Sequence, residues 1–253
     1  MKITFLGTGT SQGVPVIACE CAVCHSENPK DNRLRSSILI ESDTTAVIID
    51  TGPDFRYQIL RNKTSKLDAI VFTHPHKDHI AGMDDVRAFN YKQKSAMEVY
   101  ATEATQESLK REFYYIFSDF KYPGIPLINF NTIELDNFTI GDITLQPIEV
   151  FHYKMPVLGF RIKDFTYITD AKTISDVEFE KVKGTKILVI NALQKESHIS
   201  HFTFDEAIAF AEKVNAEQTY FTHISHRLGK HNDVSLELAP KIALAFDGLT
   251  LDI

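Results

Sequence analysis

The sequence predicts an α/β (α+β) fold in which two mixed β-sheets pack together and helices cover their outer faces. Three observations lead there. Short apolar runs alternate along the chain with segments of helical spacing. Several of those runs are separated by tight polar turns, which implies hairpins and therefore antiparallel pairs. The 253 residues, 43% of them hydrophobic, supply enough apolar surface for a sizeable core. Neither a purely parallel sheet nor a plain sandwich accommodates this mixture. No Ser/Gly/Pro-rich linker divides the chain, so a single domain over residues 1–253 is expected.

The elements follow in order. Residues 2–6 alternate like a strand and run into Gly7-Thr8-Gly9. Residues 37–41 and 46–50 are apolar runs split by Ser42-Asp43-Thr44-Thr45, the pattern of a hairpin. Residues 55–61 have helical spacing, 69–72 form a short buried strand, and 80–89 read as a helix. Strands are expected at 98–100 and 133–135, with helix from 105 to about 117 between them. A second set of strands follows at 138–140, 143–149, 158–162, 165–169 and 187–191. Thr203-Phe204-Asp205-Glu206 has the capping-box form and opens a helix to about 214. Residues 218–221 make a strand that ends at His223, and 242–246 with 249–253 close the chain as a hairpin around Asp247-Gly248.

Charge and composition narrow the function. A net charge of -7 argues against a broad nucleic-acid surface, which needs a basic face to neutralise phosphates. It leaves room for a local cationic site, which bound metal ions would provide. The amino-terminal MKITFLGTGT breaks at Gly7, too early for a signal-peptide core, and no apolar run approaches the length of a membrane span. A soluble, cytoplasmic protein with no membrane partner is expected. An odd number of cysteines, packed into Cys19-Glu20-Cys21-Ala22-Val23-Cys24, makes a poor disulfide framework. A homodimer is allowed and not specified.

The chemistry concentrates in His74-Pro75-His76-Lys77-Asp78-His79. Residues 74 and 76 are two apart, so extended backbone puts both imidazoles on one side. Asp78 and His79 come where the chain must turn into a helix and can face a second point. Nitrogen and carboxylate donors this dense suit zinc, manganese or iron and do not suit calcium. Asp50, which ends Val47-Ile48-Ile49-Asp50, is placed to orient a metal-bound histidine.

The C-x-C-x2-C run of Cys19, Cys21 and Cys24 can hold a further ion, and a closed structural zinc needs a fourth ligand. The histidine candidates are His25 and His226. Adjacent residues such as Cys24 and His25 rarely both turn toward one ion, which favours His226.

The H-x-H-x-D-H run resembles the signature of the metallo-β-lactamase fold superfamily. That resemblance implies an αββα four-layer sandwich and three further ligands at strand ends: His152 after Glu149-Val150-Phe151, Asp170 after Tyr167-Ile168-Thr169, and His223 after Tyr220-Phe221-Thr222. It implies that one ion takes His74, His76 and His152, that the other takes Asp78, His79 and His223, and that Asp170 bridges them. The cysteine loop after a Gly-Thr-Gly turn, together with His223-Ile224-Ser225-His226, is similar to the phosphoribosyl cyclic phosphodiesterases of the carbon–phosphorus lyase pathway.

The function implied is hydrolysis of small or cyclic phosphodiesters by a water activated between two divalent ions, zinc or manganese, beside one structural zinc. Asp78 and His201 are the expected catalytic side chains. His201 lies just before the capped helix, where an anion is favoured, and in this group the corresponding histidine contacts the phosphate and protonates the leaving group. A ribonuclease Z-like nuclease and a thioester or acyl hydrolase of the same fold are the alternatives.

Overall fold

The computed structural model describes residues 1–119 and 122–253. Its first sheet contains β1 (Lys2–Gly7), β2 (Ser37–Glu41), β3 (Ala46–Ile49), β4 (Ala69–Val71), β5 (Met97–Ala101) and β6 (Ile128–Thr132). The second contains β7 (Phe138–Ile140), β8 (Ile143–His152), β9 (Met155–Ile162), β10 (Phe165–Tyr167), β11 (Thr173–Ile174), β12 (Ile187–Asn191), β13 (Gln218–Thr222) and β14 (Ile242–Leu244). The last strand, β15 (Thr250–Asp252), returns to the first sheet, whose order is β15-β1-β2-β3-β4-β5-β6. The second sheet runs β11-β8-β9-β10-β12-β13-β14, with β7 on β8.

Both sheets are mixed. Strands β1, β2 and β3 pair antiparallel, whereas β3, β4, β5 and β6 are parallel. In the other sheet β8, β9 and β10 are antiparallel, and β10, β12, β13 and β14 are parallel. Helices α1 (Phe55–Asn62), α2 (Lys77–Ile80), α3 (Arg87–Gln93), α4 (Glu103–Glu112) and α5 (Tyr114–Phe117) belong to the first half of the chain. Helices α6 (Asp176–Val182), α7 (Phe204–Val214) and α8 (His231–Ser235) belong to the second.

The period of two along each strand sorts the core into layers. Ile38 and Ile40 of β2, Val47 and Ile49 of β3, and Val71 of β4 join Phe160, Tyr167 and Val189 between the sheets. Their neighbours Leu39, Ile48 and Ile70 point the other way, onto Phe55, Met83, Val86 and Phe89. Ile148, Leu188, Ile190 and Phe221 pack outward on Phe179, Phe204 and Phe210. Strands buried on both faces therefore read as unbroken apolar runs, and the architecture is the αββα sandwich. Among the described residues no helix is long and apolar enough to cross a membrane.

Several expectations need correction. The strand expected at 133–135 is β6, five residues earlier. Its Asn129 and Asn131 weaken the apolar signal, but their side chains donate to the Glu98 carboxylate at 2.7 Å each, while Ile128 and Phe130 pack on the helix side. The helix expected at 80–89 is α2, a tight turn at Met83–Val86, and α3. Gly82 interrupts it because the chain there presses on the loop after β3, where an added Cβ would lie 2.2 Å from the Gly52 carbonyl oxygen. The helix expected from 105 to 117 breaks at Phe113, whose φ of -113° and ψ of 40° are not helical.

The closing hairpin does not form. β14 pairs parallel with β13 and β15 pairs antiparallel with β1, so Asp247-Gly248 carries the chain from one sheet to the other. The Asp247 carboxylate accepts from the Leu34 amide at 2.9 Å and the Thr8 hydroxyl at 2.8 Å, which pins that crossing by long-range bonds invisible to a local turn pattern. Helix α6 was not anticipated. Its signal was present in Ser175-Asp176-Val177-Glu178, where the Ser175 hydroxyl accepts from the Glu178 amide.

Candidate metal centre

His74, His152, Asp170 and His223 sit at or just beyond the carboxyl ends of strands, and His76, Asp78 and His79 follow His74 into α2. β4 leads through Phe72 and Thr73 to His74, β8 ends on His152, and Asp170 and His223 follow β10 and β13 closely. These are the ends where open α/β sheets place their sites. The backbone turns sharply there: Asp50, Asp170 and His223 have φ of 64°, 55° and 55°. A left-handed histidine is a locally costly conformation, of order 1–3 kcal/mol, held only because its surroundings dictate it.

Hydrogen bonds set the face that each imidazole presents. The Asp50 carboxylate accepts from His79 Nδ1 at 2.7 Å and from the Thr73 hydroxyl at 2.8 Å, and that hydroxyl oxygen accepts in turn from His74 Nδ1 at 2.9 Å. His152 Nδ1 donates to the Ser200 carbonyl at 2.9 Å. His223 Nδ1 donates to Ser36 Oγ at 3.2 Å, whose hydroxyl donates to the Gly9 carbonyl. With Nδ1 so engaged, each of the four rings is held to offer Nε2 to the interior, the nitrogen that metal ligation would use.

The inward-facing atoms crowd one another. His79 Nε2 lies 3.1 Å from Asp78 Oδ2 and 3.3 Å from Asp170 Oδ2, and His223 Nε2 lies 3.2 Å from Asp170 Oδ1. Donor atoms of Asp78, His79, Asp170 and His223 all fall within 4.8 Å of one another. Rings of His74 and His76 are 4.7 Å apart, and those of His76 and His152 are 5.1 Å apart. The Nε2 atoms of His74 and His79 are buried and have no hydrogen-bond partner. Buried lone pairs facing carboxylates are unfavourable unless a cation lies between them, so the donor set fits divalent metal.

Electrostatics agree. Burial opposes charge on His79, but Asp78, Asp170 and Asp50 outweigh it and hold the imidazole well above its ordinary range. Burial likewise works against Asp170, and His223 and His79 overcome it, keeping the carboxyl well below the usual range. His76 is exposed and Asp78 and His152 are half-buried, so the centre opens to solvent on that side.

His201 is 8% exposed, with its ring 4.3 Å from His152 and its Nδ1 3.7 Å from Asp170 Oδ1. Burial pushes its imidazole far below the ordinary histidine range, against the pull of Asp170. His198 stands outside it, ring to ring at 5.0 Å. Asp54 engages Arg35, accepting from its amide at 2.8 Å. The aromatic stripe at 113–117 divides: Phe113 joins the outer core and Tyr114 is exposed.

A second cluster lies nearby. His226 Nδ1 is 3.3, 3.4 and 3.5 Å from the sulfurs of Cys19, Cys21 and Cys24. Tetrahedral zinc with ordinary Zn–S and Zn–N bonds sets such an edge at about 3.5 Å, so these four residues fit it. A hydrogen bond from the Cys24 amide leads the effects that lower Cys21 to about 6, whereas burial leads those that raise Cys24 to about 11. His25 does not join the cluster.

Thr73, Ser36 and Thr10 were not anticipated. Each is a hydroxyl touching a histidine of the centre, and only for Thr73, beside His74, did the sequence hold a signal. Asp50→Asn should weaken metal affinity about 10- to 100-fold, the usual cost of losing a residue that orients a ligand. Metal content after chelator competition tests this, and an unchanged affinity would contradict the orienting role.

Comparison with known proteins places these residues in context. Residues 45–224 match the family described as the beta-lactamase superfamily domain. A solved diphosphatase of the PhnP family is 40% identical, with a TM-score of 0.93, over 100% of this chain and 97% of that one. An octanoyltransferase of Porphyromonas gingivalis is 36% identical over 252 residues, which is 98% of this chain and 51% of that protein; the chain spans about half the length of that relative. A ribonuclease Z of Bradyrhizobium is 22% identical over 289 residues, 88% of this chain and 96% of that one.

Proposed function

The chain belongs to the β-lactamase superfamily, and on that premise we propose that it is a two-metal phosphodiesterase acting on small or cyclic phosphodiesters. The observation that carries the reading is the position of Asp170. It groups with Asp78, His79 and His223 on one side and with His152 and His201 on the other. In this reading Asp78, His79 and His223 hold one divalent ion, His74, His76 and His152 hold the other, and Asp170 reaches both. Zinc and manganese each suit those donors. Cys19, Cys21, Cys24 and His226 hold a structural zinc.

When bound, the paired ions would supply a water ionised near neutral pH and positive charge for the phosphoryl oxygens. The chain's own residues do the rest. Asp50 keeps His79 and, through Thr73, His74 in their ligating tautomer. His201, beside Asp170 and His152, contacts the phosphate and, as the neutral imidazole that its burial favours, donates a hydrogen bond to the leaving oxygen while solvent water supplies the proton. The likeness to a diphosphatase supports a phosphoryl substrate. All three cysteines lie in the tetrad, so none stands in the centre to carry an acyl group, and the octanoyltransferase name is not carried over to this chain.

The partner is a small phosphodiester. With a net charge of -7 we expect neither nucleic acid nor membrane, and a homodimer is compatible with the reading. Metal-loaded protein should hydrolyse bis-p-nitrophenyl phosphate. His76→Ala should stay folded, because the side chain is exposed, and lose that turnover. A variant as fast as wild type would sink the assignment. Turnover of precursor transfer RNA or a thioester, with none of the diester, would favour the alternatives.

A further inference from the structure

The open side of the metal centre carries the tip of the β8–β9 hairpin. His152 of β8 pairs with Met155 of β9, so Tyr153 and Lys154 form a two-residue turn directly after a candidate ligand. The His152 ring lies 5.1 Å from that of His76, the exposed histidine on this side. Tyr153 is 54% exposed, a large aromatic surface left in water. Among the described residues its ring packs on no other ring and its hydroxyl has no hydrogen-bond partner. Only Lys154 Nζ stands over it, 5.4 Å from the centroid.

The backbone there is left-handed, with φ of 59° at Tyr153, and two-residue hairpin turns give such a position to glycine or asparagine. The next hairpin, between Ile162 and Phe165, turns the same way at Lys163, whose side chain is flexible. At 153 a rigid ring is held instead. Costly backbone of this kind clusters at active sites and ligand clamps, and here Asp50, Asp170 and His223 of the centre share it. Charge adds to the contrast. Lys77, beside His76, is paired with Glu112, whereas Lys154 is exposed with no ion pair among the described residues.

We infer that Tyr153 is a stacking platform for a planar ring of the substrate, and that Lys154 attracts the anion attached to it. The diester would then be a nucleotide, and Tyr153 a specificity-determining residue; this inference rests on the phosphodiesterase reading. Stacking uses the π-face that every base has, so the platform selects a base-bearing diester without choosing between bases. A free ring beside His152 meets the base while the phosphate lies at the centre, and binding energy from that remote group serves orientation.

Kinetics and calorimetry on the metal-loaded protein test it. A nucleoside cyclic phosphate is compared with the cyclic phosphate of ribose that lacks the base. The ratio of their kcat/KM values should fall about tenfold in Tyr153→Gly, the size of one lost base–aromatic stack, and more through KM than through kcat. Tyr153→Phe, which keeps the ring, should keep the ratio, as should Tyr57→Ala, which removes another exposed tyrosine. The glycine variant should match or exceed the wild-type Tm, because glycine adopts this φ without steric cost. Tyr153→Asn, which also tolerates it, decides if the glycine variant loses metal or stability. Equal slowing of both substrates in Tyr153→Gly and Tyr153→Asn, or an equal fall of the ratio in Tyr153→Phe, would overturn the inference. So would an adenosine monophosphate Kd that does not rise when the ring is removed. Should wild type bind adenosine monophosphate through Tyr153 but cleave no diester, the platform stands and the phosphodiesterase reading fails.

Discussion

Asp170→Asn is expected to reduce kcat/KM for bis-p-nitrophenyl phosphate about a thousandfold, because paired metals contribute several kcal/mol and each 1.36 kcal/mol is tenfold. The carboxylate has three neighbours that need its charge: His79 Nε2 at 3.3 Å, His223 Nε2 at 3.2 Å and His201 Nδ1 at 3.7 Å. An amide of the same shape removes the charge and brings a donor toward lone pairs that already face inward. Metal occupancy should fall below that of wild type. The backbone should not change, since the φ of 55° at this position is one that asparagine adopts as readily as aspartate. A variant that keeps its full complement of metal and turns over at the wild-type rate would refute the shared role of Asp170.

Cys21→Ser should lose one zinc per chain and lower the Tm by about 10 °C. Breaking a closed site gives up part of a binding free energy that is also folding free energy. If ~4 kcal/mol of it is lost, a domain of this size shifts by roughly 2–4 °C per kcal/mol. The tetrad joins a loop near residue 20 to the segment after β13, with no disulfide to share the work. Because His226 lies three residues beyond His223, turnover should fall less than in Asp170→Asn but more than a remote surface change would cause. An unchanged zinc count in the variant would dismiss the structural site. Unchanged stability with zinc lost would mean that the loop is held by other contacts, such as the bridge from Gly9 to Arg35 and Ile224.

What the sequence determined by itself is local. The six residues from His74 to His79 state their chemistry through spacing alone, since donors so close along a chain leaving a strand converge whatever surrounds them. The same holds for Cys19, Cys21 and Cys24, and for the capped helix α7, whose Thr203 and Glu206 exchange hydrogen bonds within one turn. Even the layered architecture was legible, because strands buried on both faces leave unbroken apolar runs.

The tertiary structure decided the rest. Nothing near His152, Asp170 or His223 in sequence brings them together; they meet because β8, β10 and β13 end at one edge, and family order alone had named them. Which nitrogen each imidazole offers depends on Asp50, Ser36 and the Ser200 carbonyl, partners 29, 187 and 48 residues away from the rings they orient. The two closing strands went to different sheets for the same reason: a turn pattern reports only four residues, while pairing is chosen among all the edges available. The centre that began as one histidine-rich run is thus a local donor set completed by distant hydrogen bonds, and it exists only in the folded chain.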